Sequence, residues 1–326
     1  MTKPLASLSL DLDNRWSYMK THGDEGWDSY PSYLDVVAPR VLEILAARKL
    51  RITFFVVGQD AALEANRNAL RAIADAGHEI GNHSFNHEPW LHLYARDEIA
   101  EELRSAEHAI EMGTGCRPTG FRGPGFSFSP DVLETLAERG YGYDASTFPT
   151  FLGPVARLYY FFTARLSREQ QEERKQLFGR FAEGFRSLRP YAWTDVAPEL
   201  VEIPVTTMPL AKIPIHASYI LYLARFSRPL AQWYFAAALT LCRLLRVEPS
   251  ILLHPLDFLG ADDGVGLEFF PAMDKPSAWK VDVVTRVIDR LQKHFRVVAM
   301  DDHAAAVRER LHLPHVAHPA AASDAS

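Results

Sequence analysis

Apolar and polar positions along the chain alternate between two periods, and the alternation continues almost from end to end. Leu5 to Leu12 reads as a strand, residues 32–50 as a helix, and RITFFVVG at 51–58 as a second strand buried on both faces. A helix over 61–76 follows, then a strand around 78–83, a helix over 97–112 and a strand ending near Arg122. Ser129 and Pro130 supply an N-cap and a first-turn proline for the next helix, which Gly140 closes before a short strand at 141–145. Residues 200–206 and 250–256 read as strands, 278–294 as a helix and 295–300 as a last strand. Repeated strand-helix units predict a parallel sheet, and seven or eight of them predict an α/β fold of the (β/α) barrel type.

Three stretches break this rhythm. Asn14 to Pro31 is expected to be a long loop, rich in Trp16, Tyr18, Trp27 and Tyr30. Segments 151–199 and 207–249 read as largely helical, aromatic insertions in a single domain covering 1–310, and 311–326 reads as a flexible tail.

Composition narrows the function. The 326 residues are 48% apolar, enough for a large core, and the formal charge is −6. Nothing in that balance points to nucleic acid, and no glycine-rich phosphate loop follows the first strand. The charge is uneven, however: 151–246 carries +6 and the remainder −12. Cys116 and Cys242 are too few for a disulfide framework, and the first twelve residues lack the apolar stretch of a signal peptide, so a cytoplasmic location is expected. The uncharged run at 229–242 is shorter than a bilayer span.

Four polar clusters stand at the C-terminal ends of predicted strands: Asp11 and Asp13 in SLDLDN, His83 and His87 in GNHSFNH, Arg122 in FRGPGFS, and His254 in LLHPLDF. Singly, each is more often structural, as a helix cap, a core histidine or a turn. Together they occupy the rim where barrel enzymes build their sites. Two imidazoles and a carboxylate with open positions suit a catalytic zinc or similar ion, which acidifies water towards pH ~7. Of the two aspartates, one can bind metal while the other accepts the proton of water. A guanidinium such as Arg122 keeps a carboxylate ionised and aimed. His254, with an ordinary pKa near ~6.5, suits the acid that expels an amine.

The stretches SLDLD, GHEIGNHSFNH, FRGPGFS and ILLHPLDF resemble, in order, the motifs of the polysaccharide deacetylase (NodB homology) family, over Leu8 to Phe258. The resemblance implies a distorted barrel of about seven strands and removal of N- or O-acyl groups with zinc, or with cobalt, nickel or manganese in its place. It implies Asp11 as base, Asp13, His83 and His87 as metal ligands, Arg122 as the residue orienting the base, and His254 as acid. The chain departs from the pattern in three places. Asp-Leu-Asp replaces adjacent aspartates, a spacing of intracellular, amide-hydrolysing branches. Gly125 stands where an aromatic usually offers its N–H to the oxyanion. Asp144, in YDAS, matches the fourth motif only in part, and the Asp-Trp pair that usually tunes the acid is missing, leaving Asp257 as a candidate partner of His254 or a cap. Trp16 joins Gly125, Asp144 and Asp257 as a candidate substrate contact.

Residues 152–166 and 209–246 mix aromatic and aliphatic residues with Arg and Lys and contain no acids. Such helices either pack the outside of the barrel or lie at a membrane face. The second reading resembles the intracellular deformylase of polyprenyl-phosphate-linked formamido-arabinose and implies an N-acylated, lipid-linked sugar as substrate. The rivals are hydrolysis of a small soluble amide or ureide, and a metal- or carbohydrate-binding module without catalysis.

Overall fold

The computed structural model describes residues 3–153, 181–197, 199–310 and 314–316. Its centre is a mostly parallel sheet that opens with β1 (Leu5–Asp11), followed by helices α1 (Arg15–His22) and α2 (Leu34–Ala47). Next come β2 (Thr53–Val56), α3 (Gly58–Ala62), α4 (Arg67–Asp75), β3 (Glu79–Asn82), α5 (Arg96–Thr114), β4 (Gly120–Phe121), α6 (Pro130–Glu138) and β5 (Tyr143–Asp144). The second half holds β6 (Tyr191–Trp193), β7 (Val201–Glu202), α7 (Ala217–Phe226), α8 (Arg228–Leu244), β8 (Ser250–Leu253), α9 (Ser277–His294), β9 (Arg296–Val298), α10 (Met300–Arg308) and β10 (His315–Val316).

Strand order is β10-β6-β7-β5-β4-β3-β2-β1-β8, with β9 paired to the first half of β1. Beyond β7 the chain stays extended. Val205 donates its N–H to Thr147, Thr206 donates to the Ser250 carbonyl at 3.0 Å, and Ser250 donates to the Thr206 hydroxyl at 2.8 Å. These bonds join β7 to β8 and close a distorted ring of seven strands, β1 to β5 with β7 and β8, as the repeated units predicted. All seven residues of β1 are buried, which explains its unbroken apolar pattern. Inside the ring, Phe55, Tyr143 and Ala145 pack with Met300, Ala304 and Val307 of α10.

Register decides what reaches the rim. Asn82 pairs with Phe121, and Phe121 with Asp144, so His83 and Arg122 leave the sheet at one level. Leu10 pairs with Leu253, which puts Asp11 and His254 next to each other beyond them.

Four expectations need correction. Asn14 to Pro31 is not a loop throughout: α1 begins at Arg15, capped by the Asn14 side chain, and ends on Gly23 in the left-handed conformation at φ 88°. Its helical period is masked because Trp16 and Ser17 face inward while the other positions mix polar and aromatic residues. The helix expected over 61–76 is broken at Leu63, whose extended backbone ends α3 before a short turn and α4. The edge strand β6 pairs antiparallel with β7 inside a segment read as helical, and α10 follows β9 directly. Of the two insertions, 207–249 carries α7 and α8, as expected. The segment 152–166 lies outside the described residues from 154 onwards, as does the tail from 317.

Candidate active site

The first motif works because β1 ends at Asp11 and α1 starts four residues later. Asn14 makes the turn: its Oδ1 accepts the Arg15 N–H at 2.8 Å and the Tyr33 N–H at 3.1 Å. Asp13 is thereby swung over the end of the sheet, and its carbonyl accepts the Tyr33 hydroxyl at 2.6 Å.

The second motif curls more tightly. Ser84 and His87 both adopt positive φ, 60° and 54°, a costly backbone that the surroundings must hold. Asn82 accepts the Ser84 N–H, Ser84 accepts the His87 N–H, and the Glu102 carboxylate accepts the N–H groups of Phe85 and Asn86. The result brings both imidazoles onto Asp13: His83 Nε2 lies 3.2 Å and His87 Nε2 3.1 Å from its Oδ1. All three residues are buried, and one ligand atom from each lies within 4.8 Å of the other two. His83 Nδ1 donates to the Arg122 carbonyl at 2.6 Å, which fixes the ring orientation with Nε2 facing Asp13. Burial raises the Asp13 pKa, but the charges and hydrogen bonds of His87 and His83 outweigh it and hold the carboxyl well below the usual carboxylate range. A preformed, buried set of two nitrogens and one oxygen fits a divalent cation such as zinc.

Arg122 is fully buried. Its Nη1 donates to Asp11 at 2.5 Å and to the Ser9 hydroxyl at 2.8 Å, its Nε donates to the Ala145 carbonyl at 3.0 Å, and its guanidinium lies 4.4 Å from the Phe55 ring centre. The cation is therefore locked in one pose with Asp11 as its charged partner.

Beside Asp11, beyond the end of β8, His254 is held by Asp257. One Asp257 oxygen accepts the His254 backbone N–H at 2.8 Å, while the other accepts the hydroxyl of Ser218, whose Oγ is 3.1 Å from His254 Nδ1. Asp257 thus caps the turn after His254 and faces its ring only through Ser218. Phe270 bridges the two halves, with its ring 6.2 Å from His254 and 5.5 Å from Tyr18. The Tyr18 hydroxyl is buried without a hydrogen-bond partner among the described residues. Burial, and then the charges of Asp13, Tyr33, Asp257 and Asp11, keep it neutral, its pKa well above the ordinary tyrosine value.

The remaining candidates fall elsewhere. Trp16 is 1% exposed; it donates to Asp60 at 2.9 Å and stands edge-on to His87 at 6.4 Å, so it forms the wall behind a ligand. Asp144 is enclosed in the ring beside Glu202; burial raises both carboxyls, and the Asp144 charge pushes Glu202 further up. Gly125 is the exposed residue of the turn Pro124–Phe126, at φ 58° beside Pro89. Ser218, Tyr18 and Glu102 carry no sequence signal as site residues: Ser218 is 36 positions from His254 in an insertion helix, and only the packing of α7 on the barrel joins them.

Residues 24–143 match the family model described as polysaccharide deacetylase. Over this stretch the chain is similar to polysaccharide deacetylases. The match includes His83, His87 and Arg122; Asp11 and Asp13 precede it, and His254 follows it. A peptidoglycan deacetylase of Helicobacter pylori is 34% identical over 146 residues, 44% of this chain and 49% of that protein. A chitooligosaccharide deacetylase of Sinorhizobium fredii is 33% identical over 108 residues, 32% of this chain and 48% of that protein. The matched stretches thus span about half the length of each relative. A crystal structure bearing the name polysaccharide deacetylase, from Mycobacterium smegmatis, shares the fold with a TM-score of 0.63 at 20% identity, covering 98% of this chain and 99% of that one.

Proposed function

We propose that the protein hydrolyses an N-acyl group, acetyl or formyl, from an amino sugar. The observation carrying this reading is that one rim holds the buried Asp13, His83 and His87 cluster, an Asp11 tied to a buried guanidinium, and an anchored His254. The names of the matching relatives, deacetylases of peptidoglycan and chitooligosaccharide, support it. Asp13, His83 and His87 would hold the divalent cation, most simply zinc, and when bound it would polarise the acyl carbonyl and acidify water. Asp11, kept in place by Arg122, takes the proton of the attacking water as the oxygen-carbon bond forms. His254 gives its proton to the sugar nitrogen as the carbon-nitrogen bond breaks, and carboxylate and free amine leave.

An active hydrolase, rather than a binding module, is supported by the base and acid flanking the ligands, which binding alone does not need. Acetate release from an N-acetylated chitooligosaccharide tests this reading. Wild-type activity that survives EDTA, or that survives Asp11→Asn, contradicts it.

The finer proposal is a lipid-linked sugar met at a membrane face. It rests on the surface of α7 and α8, where Phe226, Leu230 and Trp233 are 73%, 52% and 68% exposed, with Arg243 and Arg246 exposed at the far end of α8. Among the described residues no helix is long and apolar enough to cross a membrane. Vesicles containing anionic phospholipid should sediment the protein, and Trp233→Ser with Phe226→Ser should abolish this. Failure of the wild type to sediment favours the small soluble amide as substrate.

A further inference from the structure

We infer that Ser218 is the positioning residue of the acid His254: it sets the imidazole tautomer and passes the charge of Asp257 to it. The inference rests on the proposed role of His254 as proton donor.

The hydrogen-bond arithmetic is closed. Ser218 is 4% exposed, in the first turn of α7. Its hydroxyl has one proton, and that proton goes to Asp257 Oδ1 at 2.7 Å. The contact at 3.1 Å with His254 Nδ1 must then be an N–H donated to the serine oxygen. Nδ1 carries a hydrogen, and Nε2 is left as the nitrogen that exchanges protons with substrate. The other Asp257 oxygen accepts the His254 backbone N–H, so a single carboxylate holds the residue at both its main chain and, through one hydroxyl, its ring. An imidazolium gains more than a neutral ring from such a chain, because its Nδ1–H is a charged donor ending on a carboxylate.

Other groups around the ring do not replace this contact. His216, from the same segment, has its ring 6.1 Å away, and burial and the His254 charge pull it down to about 3, so it stays neutral. Phe270 closes another side. Lys280 and Tyr18 are coupled to Asp257 by charge, the Lys280 ammonium lowering the Asp257 carboxyl and the Asp257 charge raising the Tyr18 hydroxyl, while Lys280 donates to the Pro271 carbonyl and Tyr18 meets Phe270. The consequence is functional. The acid's support comes from α7, the helix whose outer face carries Tyr222 and Phe226, so the surface segment and the proton donor are parts of one element.

Nitrogen-resolved NMR of the metal-loaded protein reads this directly, with the His254 ring assigned by its loss in His254→Gln. The wild type should show a single Nδ1–H tautomer. Ser218→Ala should mix the tautomers, and Ser218→Thr, which keeps the hydroxyl, should restore the single one. In acetate release from an N-acetylated chitooligosaccharide, Ser218→Ala should move the alkaline limb of the pH profile to lower pH, since the proposed acid must enter the reaction protonated. An unchanged tautomer and pH profile in Ser218→Ala overturns the inference. A wild-type rate in His254→Gln instead overturns the acid role on which it rests, whatever the NMR shows.

Discussion

Replacing Arg122 by methionine tests the central electrostatic argument. The guanidinium is fully buried and donates to Asp11, Ser9 and the Ala145 carbonyl, while Asp11 is 4% exposed with Arg122 as its ion-pair partner. Methionine fills much of the same volume but leaves a buried carboxylate unpaired, and removing one partner of a buried pair costs about 3–5 kcal/mol. For a chain of this size that is a fall in melting temperature on the order of 10 °C. Urea unfolding at pH 7 measures the free energy, and the double variant completes a cycle. Asp11→Asn placed on Arg122→Met should recover at least about 1 kcal/mol, because a neutral amide is cheaper to bury than a lone charge. Loss of less than ~1 kcal/mol in Arg122→Met, or strict additivity in the cycle, would show that the pair is not a coupled unit. Arg122→Lys keeps the charge but not the fork, and should fall between the two.

Other expectations follow from the same contacts. Elemental analysis should find about one divalent ion per chain in the wild type and almost none in Asp13→Ala, since removing a first ligand leaves two imidazoles alone. A full complement in the variant would place the metal elsewhere. Asp60, buried and receiving Asn14, Trp16 and Asn66 on one oxygen, is pushed up to about 7 by burial, with the charge of Asp13 adding to it. The folded state therefore holds the Asp60 proton more tightly than the unfolded chain. The stability this gives is present below pH ~4 and lost as pH rises towards 7, by about 4 kcal/mol. Asp60→Asn should remove that slope, and parallel stability curves between pH 4 and 8 would refute the assignment. Gly120→Ala puts a methyl 2.0 Å from the Tyr143 ring, which is fixed by its hydroxyl donating to Glu79, so a cost of about 1–3 kcal/mol or more is expected in thermal unfolding.

Much of the scaffold was legible because strand and helix periods are local. The buried runs at Leu5–Asp11 and Thr53–Val56, the Ser129 and Pro130 start of α6 and the long apolar stripe of α9 all appear where the pattern predicts them. The elements missed have local patterns that mislead. In α1 aromatics and polars share one face, α3 and α4 are separated by one extended residue and a short turn over 63–66, and β6 has three residues whose strand state depends on pairing with β7.

The site divides in the same way. Asp11, Asp13, His83, His87, Arg122 and His254 could be singled out as candidates in advance because each lies at or just beyond a strand end and its chemistry is carried by residue type. What the sequence by itself determined is therefore the alternation of strands and helices and the identity of the reactive groups at strand ends. The tertiary structure alone decided which groups meet: the β1 to β8 register that sets Asp11 beside His254, the curled backbone that turns two imidazoles onto one carboxylate, the enclosure of Asp144 with Glu202, and the packing that delivers Ser218 to His254. The physical reason is range. Hydrophobic period and side-chain chemistry are properties of neighbours in the chain, whereas hydrogen-bond partners 36 or 111 residues apart exist only once the barrel has closed.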